Sequence, residues 1–172
     1  GQRIARRVYS SITGGTVGYT RYVYHGAQVA YETNSAGTMG WRYVWGPGTD
    51  NLVVARDSAG NTYQAVKDQL GSIRGWFLPA ADSEVAMQQF TPYGTRVLID
   101  STFPNPLPSY GWTRREYDAE TGFYYLRARY YDPTELRFIQ EDPSGYGGGP
   151  NVYAYVGGAV LSATDPSGLL PS

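Results

Sequence analysis

Asp-Pro-Ser-Gly occurs twice near the end of this 172-residue chain, as Asp142-Pro143-Ser144-Gly145 and Asp165-Pro166-Ser167-Gly168, followed by Tyr146 and Leu169. The 18 residues of 147–164 lie between the two copies and open with Gly147-Gly148-Gly149. A span of that length and flexibility can fold back and set Asp142 beside Asp165. Two adjacent carboxylates cannot both ionise without large cost, so one keeps a proton. The ionised member then activates a water while the protonated one polarises a peptide carbonyl. Attack on a bond of the same chain gains further from proximity. The same tetrapeptide is also a good type I turn, with Asp at i, Pro at i+1 and Gly at i+3. One copy alone reads as a turn; two copies at this spacing leave a catalytic pair open beside it.

Other chemistry has little footing. There is no cysteine and His25 is the sole histidine. That excludes disulfides, thiolate metal sites and multi-histidine sites within one chain. His25 reads as a turn residue at a strand end. Asp118, Glu120, Asp132 and Glu135 do not have the spacing of an EF-hand loop and read as solvated turn acids. Ser10, Ser11 and Ser35 lack any nucleophile context. The 17 tyrosines and 4 tryptophans would suit sugar stacking, but aromatic ladders across strands are the commoner use in a β-array. No cofactor or metal is expected. A net charge of −1 argues against binding nucleic acid or anionic membrane by charge. Arg3, Arg6 and Arg7 read as a solvated end. No apolar run reaches the roughly 18 residues that span a bilayer. No signal peptide shows at the start, so an export address of an exported parent lies outside this stretch.

The elements that would position the aspartates read as β throughout. The 22 glycines and 11 prolines beside abundant Tyr suit many short strands joined by tight turns. Arg21-Tyr22-Val23-Tyr24-His25-Gly26 resembles Arg42-Tyr43-Val44-Trp45-Gly46, and Tyr24, Trp45 and Val66 recur every 21 residues. Gln89 to Gly94, Arg115 to Asp118 and Arg129 to Asp132 are looser copies. Period-2 alternation predicts strands at Tyr19–Tyr24, Trp41–Trp45 and Leu126–Tyr131. In the last, Leu126, Ala128 and Tyr130 would share one face, and Arg127, Arg129 and Tyr131 the other. Turns are expected at Ser35–Gly37, Gly46–Gly48, Ser58–Asn61, Glu120–Gly122 and Asp132–Thr134. Pro104, Pro106 and Pro108 predict a stiff loop. Gly147–Gly149 predicts a hinge, Pro150–Tyr155 a short helical turn, and Asp82–Gln89 a brief helix. The expected whole is one twisted antiparallel sheet of roughly ten to twelve strands with open, adhesive edges.

The run from Arg114 through Tyr117-Asp118, Thr121-Gly122-Phe123-Tyr124-Tyr125 and Arg127-Ala128-Arg129-Tyr130-Tyr131-Asp132-Pro133 resembles the Rhs repeat-associated core. The likeness continues through Arg137-Phe138 and Asn151-Val152-Tyr153-Ala154-Tyr155, and closes at Asp165-Pro166-Ser167-Gly168-Leu169. Upstream, Asp68-Gln69-Leu70-Gly71-Ser72-Ile73-Arg74 is similar to a further segment of that family. Four places depart from its pattern. Glu135-Leu136 replaces a turn glycine, Gly157-Gly158-Ala159 replaces Asn-Asn-Pro, and Gln69 replaces a histidine. Glu141 stands where some members carry an arginine suited to hold a catalytic carboxylate.

The resemblance implies an all-β, antiparallel hairpin array of YD-repeat type, a segment of a spiralling β-shell. At most short helical turns are expected near its C-terminal end. It implies YD-type hairpins over 1–110, the repeat-associated core over 111–169, and at 170–172 the start of a segment beyond a cleavage point. It implies a shell that encloses a C-terminal toxin or effector in the parent chain and releases it by a single-turnover, aspartyl-protease-like cut. Asp142 and Asp165 would catalyse, and the bond between Leu169 and Leu170 would break. The parent would be secreted or displayed at a bacterial surface. The alternatives are a non-catalytic structural or adhesive module for proteins or glycans, and self-association through strand edges.

Overall fold

The computed structural model describes residues 2–9, 15–101 and 107–169, and the chain is antiparallel β almost throughout. Nine strands follow one another as a meander: β1 (Ala5–Tyr9), β2 (Thr16–His25), β3 (Gln28–Thr33), β4 (Met39–Trp45), β5 (Leu52–Arg56), β6 (Thr62–Lys67), β7 (Ile73–Leu78), β8 (Ser83–Phe90) and β9 (Arg96–Ser101). A second, four-stranded sheet holds β10 (Glu116–Asp118), β11 (Phe123–Leu126), β12 (Arg129–Asp132) and β13 (Arg137–Phe138).

The 21-residue period is the length of two strands and their turns. Register shifts recur at Val23/Tyr24, Val44/Trp45, Val66/Lys67 and Met87/Gln88, and such bulges bend a strand and raise its twist. One turn is built four times, twice at each end of the strands. Asn34, Asp57, Asp68 and Thr91 each accept a bond through the side chain from the N–H four residues on. Gly37, Gly60, Gly71 and Gly94 take the left-handed position that glycine favours.

Two sheets stand where one was expected. After β9 the chain reaches Trp112–Arg114, where Thr113 and Arg114 both have positive φ. This reversal carries the chain back across the first sheet instead of adding a strand at its edge. Of the expected proline loop, Pro108 is buried; Pro104 and Pro106 lie outside the described residues. The strand read over Leu126–Tyr131 is the end of β11, a two-residue turn and the start of β12. Arg127 takes a positive φ, and Leu126 pairs with Arg129. The alternation was therefore read through a turn that carries no Gly or Asn. Asp82–Gln89 is not helical: a 3-10 turn at Pro79–Ala81 leads into β8, whose inward Ala86 and Gln88 alternate with period 2. Pro150–Tyr155 is a turn closed by Asn151, whose side chain accepts from the Tyr153 N–H. Short 3-10 turns lie instead at Gly145–Gly148, over part of the expected hinge, and at Val156–Gly158.

The two sheets are tied by arginines. The Arg3 guanidinium lies 4.7 Å from the ring centres of both Tyr22 and Tyr125. It donates at 2.5 Å to Glu116 and at 2.5 Å to Asp118, while Arg6 reaches Asp118 and Glu120. Arg3 and Arg6 are thus not a solvated end, whereas Arg7 is exposed, and Asp118 is a buried paired acid rather than a turn acid. Above them Tyr22, Val29, Tyr43, Leu52, Tyr63, Ile73 and Trp76 form one core with Tyr110. Trp112, Tyr124, Leu126, Tyr131, Phe138 and Tyr155 form the second. The turn ends of the first sheet meet that second core: Tyr131 and Tyr124 donate their hydroxyls to the carbonyls of Tyr93 and Gly94.

A side-chain carbon at Gly94 would come within 2.7 Å of the Trp112 ring, whereas at Gly60, with a similar positive φ, it meets nothing within 4 Å. Gly60→Ala is expected to cost about 1 kcal/mol of backbone strain. Gly94→Ala should cost about 2–4 kcal/mol, because overpacking adds to the strain. Urea unfolding of the two variants checks the difference.

Glu32 is buried beneath the sheet, where the Tyr43 hydroxyl donates to it at 2.7 Å. Burial pushes its pKa up to about 7 against the Tyr43 bond, with Glu116 adding to the rise. The folded chain therefore holds a proton that the unfolded chain loses near pH 4.5. This contribution is complete below that value, falls as pH rises and is spent above about 7, a change of roughly 3 kcal/mol. Glu32→Gln is expected to flatten stability between pH 5 and 8, read by denaturant midpoints across that range.

Candidate active site

Arg129 opens β12, and its side chain points into the small space enclosed by the chain after β13. It is 3% exposed, and its guanidinium lies 3.6 Å from the Phe138 ring centre. Asp142 follows β13, anchored by its N–H on the Val152 carbonyl at 2.9 Å. Asp165 comes back from the far side of residues 147–164. The two aspartates are 8% and 3% exposed. Arg129 Nη2 stands between them, 2.8 Å from Oδ2 of Asp142 and 3.8 Å from Oδ2 of Asp165.

Each aspartate also serves its own turn. Asp142 Oδ1 accepts from the Ser144 N–H and hydroxyl at 2.8 and 2.5 Å. Asp165 Oδ1 accepts from the N–H groups of Ser167, Gly168 and Leu169 and from the Ser167 hydroxyl, at 2.9–3.2 Å. Turn and pair are therefore one construction: the serine and the proline-fixed turn aim Oδ1 inward to the backbone and leave Oδ2 toward Arg129. Burial opposes the charge on Asp142. The Ser144 hydroxyl and N–H and the Arg129 guanidinium outweigh it and hold this carboxyl below its ordinary value. The simple expectation that two adjacent carboxylates force a proton onto one of them is altered here, because a cation stands between them.

The segment bearing Asp165 is fastened at three successive carbonyls. Arg115 and Arg127 both donate to Pro166, the Ala128 N–H donates to Ser167 at 3.2 Å, and Arg129 Nε donates to Gly168 at 2.5 Å. Gly168 has φ +72, and a side-chain carbon there would lie 2.2 Å from the Leu126 carbonyl, so the segment can lie against the β11–β12 turn only with glycine at this position. The next carbonyl, of Leu169, borders a gap at Gly148. A side-chain carbon on Gly148 would sit 3.4 Å from Asp142 Oδ2 and 3.9 Å from the Leu169 carbonyl oxygen. A cavity of about 20 Å³ lined by Arg129, Asp142, Gly148, Asp165 and Leu169 occupies this place, about the size that holds one water.

The sequence-predicted residues Asp142, Asp165 and Leu169 are thus brought together; Leu170 lies outside the described residues. Arg129 was read only as a motif residue on a strand face. It takes the place of the arginine looked for beside Asp142, where Glu141 instead accepts from the Tyr153 hydroxyl. Its signal was the Arg127-Ala128-Arg129 spacing. Gly148 was read for flexibility, while the structure uses it for space. Among the described residues no helix is long and apolar enough to cross a membrane.

Removing Arg129 leaves two buried carboxylates facing one another. Arg129→Gln is expected to cost about 3 kcal/mol at pH 7. With the cation gone, the folded pair takes up a proton more readily than the unfolded chain does, so stability should recover as pH falls from 7 to 5. Adding Asp142→Asn to Arg129→Gln should restore part of the loss at pH 7; chemical denaturation of both variants is the check.

No family model matches the chain. It is 52% identical to the toxin protein Tse5 of Pseudomonas aeruginosa over 54 residues, which is 31% of this chain and 4% of Tse5. It is 30% identical to the probable deoxyribonuclease RhsB of Dickeya dadantii over 155 residues, 87% of this chain and 11% of RhsB. The solved structure of TcdB2-TccC3-TEV superposes on 98% of the chain with a TM-score of 0.76 at 20% identity, and the match takes in 8% of that chain. The chain therefore spans a small part of the length of each of these relatives. It resembles the C-terminal region of Rhs/YD-repeat proteins, and its fold is that of an antiparallel array of the YD-shell type.

Proposed function

We propose that this stretch, which resembles the C-terminal region of Rhs/YD-repeat proteins, ends a β-shell and cuts its own chain after Leu169. The observation that carries this is the Asp142–Arg129–Asp165 cluster, with the Leu169 carbonyl across the Gly148 gap. Asp142, ionised and held so by Ser144 and Arg129, takes a proton from a water as its oxygen bonds to the Leu169 carbonyl carbon. Asp165, with Oδ1 filled, receives a proton from solvent on Oδ2 in the reactive form and uses it to polarise the Leu169 oxygen. The Leu169–Leu170 C–N bond then breaks, the Asp142 carboxyl passes its proton to the Leu170 nitrogen, and Leu169 is left as a carboxylic acid that loses its proton to solvent. The backbone clamp on residues 166–168 holds the bond in the attack position, which supplies the advantage of proximity. No cofactor enters.

In the parent chain the module would close a shell around a C-terminal toxin or effector, as the names of the relatives, one a toxin and one a probable deoxyribonuclease, suggest. The free segment would then leave on delivery of a secreted or surface-displayed protein. In a parent chain carrying the native shell and about 100 residues beyond Ser172, intact mass is expected to show a split after Leu169. Asp142→Asn and Asp165→Asn should stay whole. Gly148→Leu, which fills the gap, should slow the cut at least about 100-fold. A whole wild type would mean that the two Asp-Pro-Ser-Gly elements serve only as turns and that the module is structural or adhesive.

A further inference from the structure

Asp50 lies between β4 and β5, far from the aspartate pair in sequence, yet it is tied to it by two arginines. It is 4% exposed, with φ +52. Arg115 donates to it at 2.5 Å and Arg127 bonds both of its oxygens. Arg115 Nε also donates to the Thr113 carbonyl, and one Nη of each arginine meets at a single atom, the carbonyl oxygen of Pro166, the residue after Asp165. Burial opposes the charge of Asp50, and the hydrogen bonds and charges of Arg127 and Arg115 overcome it.

We propose that Asp50 is a positioning residue that makes the cut after Leu169 conditional on the first sheet being folded. This rests on reading Asp142 and Asp165 as an autocleavage pair. The donors on residues 166–168 fall into two classes. The Ala128 N–H and Arg129 belong to the β11–β12 turn and form within the second sheet. Arg115 and Arg127 are also carried by the second unit, but their forks are aimed by a carboxylate that exists only when β4 and β5 have paired. Two guanidinium groups side by side repel, and without the carboxylate they have no reason to share one carbonyl. Asp50 thus reports the state of the β-array to the scissile segment: an incomplete array leaves Pro166 loosely held and Leu169 out of line with Asp142. The segment beyond Leu169 then stays attached until the array is built.

The test uses the full parent chain with native shell and downstream segment, following cleavage by intact mass and folding by thermal denaturation. Asp50→Asn should slow the cut by about 10- to 100-fold, the range expected for a displacement on the order of 1 Å. Asp50→Glu, which keeps the charge, should regain part of the rate. Adding Arg127→Gln to Asp50→Asn should slow the cut no further than the slower single variant, since both act through one link. Tyr63→Leu, in the core of the first sheet at the strand ends away from Asp50, should lower the Tm while leaving the rate at the wild-type value. Should Asp50→Asn fail to fold, Arg127→Gln, whose side chain is partly exposed, must show the slowing alone. Wild-type rates in Asp50→Asn, or equal slowing in Tyr63→Leu, would overturn the proposal. An uncut wild type would instead bring down the reading of the pair itself.

Discussion

Buried pairing of guanidinium with carboxylate holds this structure together. Arg3 joins Glu116 and Asp118, Arg115 and Arg127 join Asp50, and Arg129 joins Asp142 and Asp165. Each arginine or acid in these groups would be costly alone in the interior, since an uncompensated buried charge costs several kcal/mol. The planar fork of arginine answers two or three acceptors at once. It therefore joins elements distant in sequence: the segment before β1 to the second sheet, the β4–β5 turn to the β11–β12 turn, and one Asp-Pro-Ser-Gly copy to the other. The aromatic cores fill the space between the sheets, but the arginines set their register.

The β character of the chain was legible because aromatic and β-branched residues alternate and because turn residues such as Ser35–Gly37 and Ser58–Asn61 separate the strands. The 21-residue period showed too, and the bulges explain it. What escaped the sequence was whatever depends on the third dimension. Arg127-Ala128 carries no turn residue, so a hairpin looked like a strand. Thr113 and Arg114 take left-handed backbone without glycine, so the break into two sheets was invisible. At the site, Asp142, Asp165 and Leu169 stood out by repetition and resemblance. Arg129 and Asp50 did not, because a long-range ion pair leaves no local pattern.

Departures from the family pattern take on physical meaning in place. Leu136, where a turn glycine is usual, adopts φ +59, a conformation that costs a residue with a side chain about 1–2 kcal/mol. Asp132 supports that turn by accepting from the N–H groups of Thr134 and Glu135. Gly157 and Gly158 both take positive φ, so the replacement of Asn-Asn there keeps residues suited to left-handed backbone. Glu141 gives up proximity to the pair and binds Tyr153 at the surface instead, which is tolerable because Arg129 supplies the cation from the other side.

The meander order of the first sheet, each strand paired with the one before it, has a consequence for how the molecule comes into being. Neighbouring pairings close short loops, so the array has low contact order and its hairpins form quickly and locally. A chain emerging from the ribosome at about 5–20 residues per second can complete β1 to β9 well before residue 165 exists. The contacts that span more than 100 positions, such as Arg3 with Glu116, come only after β1 to β9 are made. Vectorial growth and strand order thus run in the same direction, and the segment bearing Asp165 finds its seat already made.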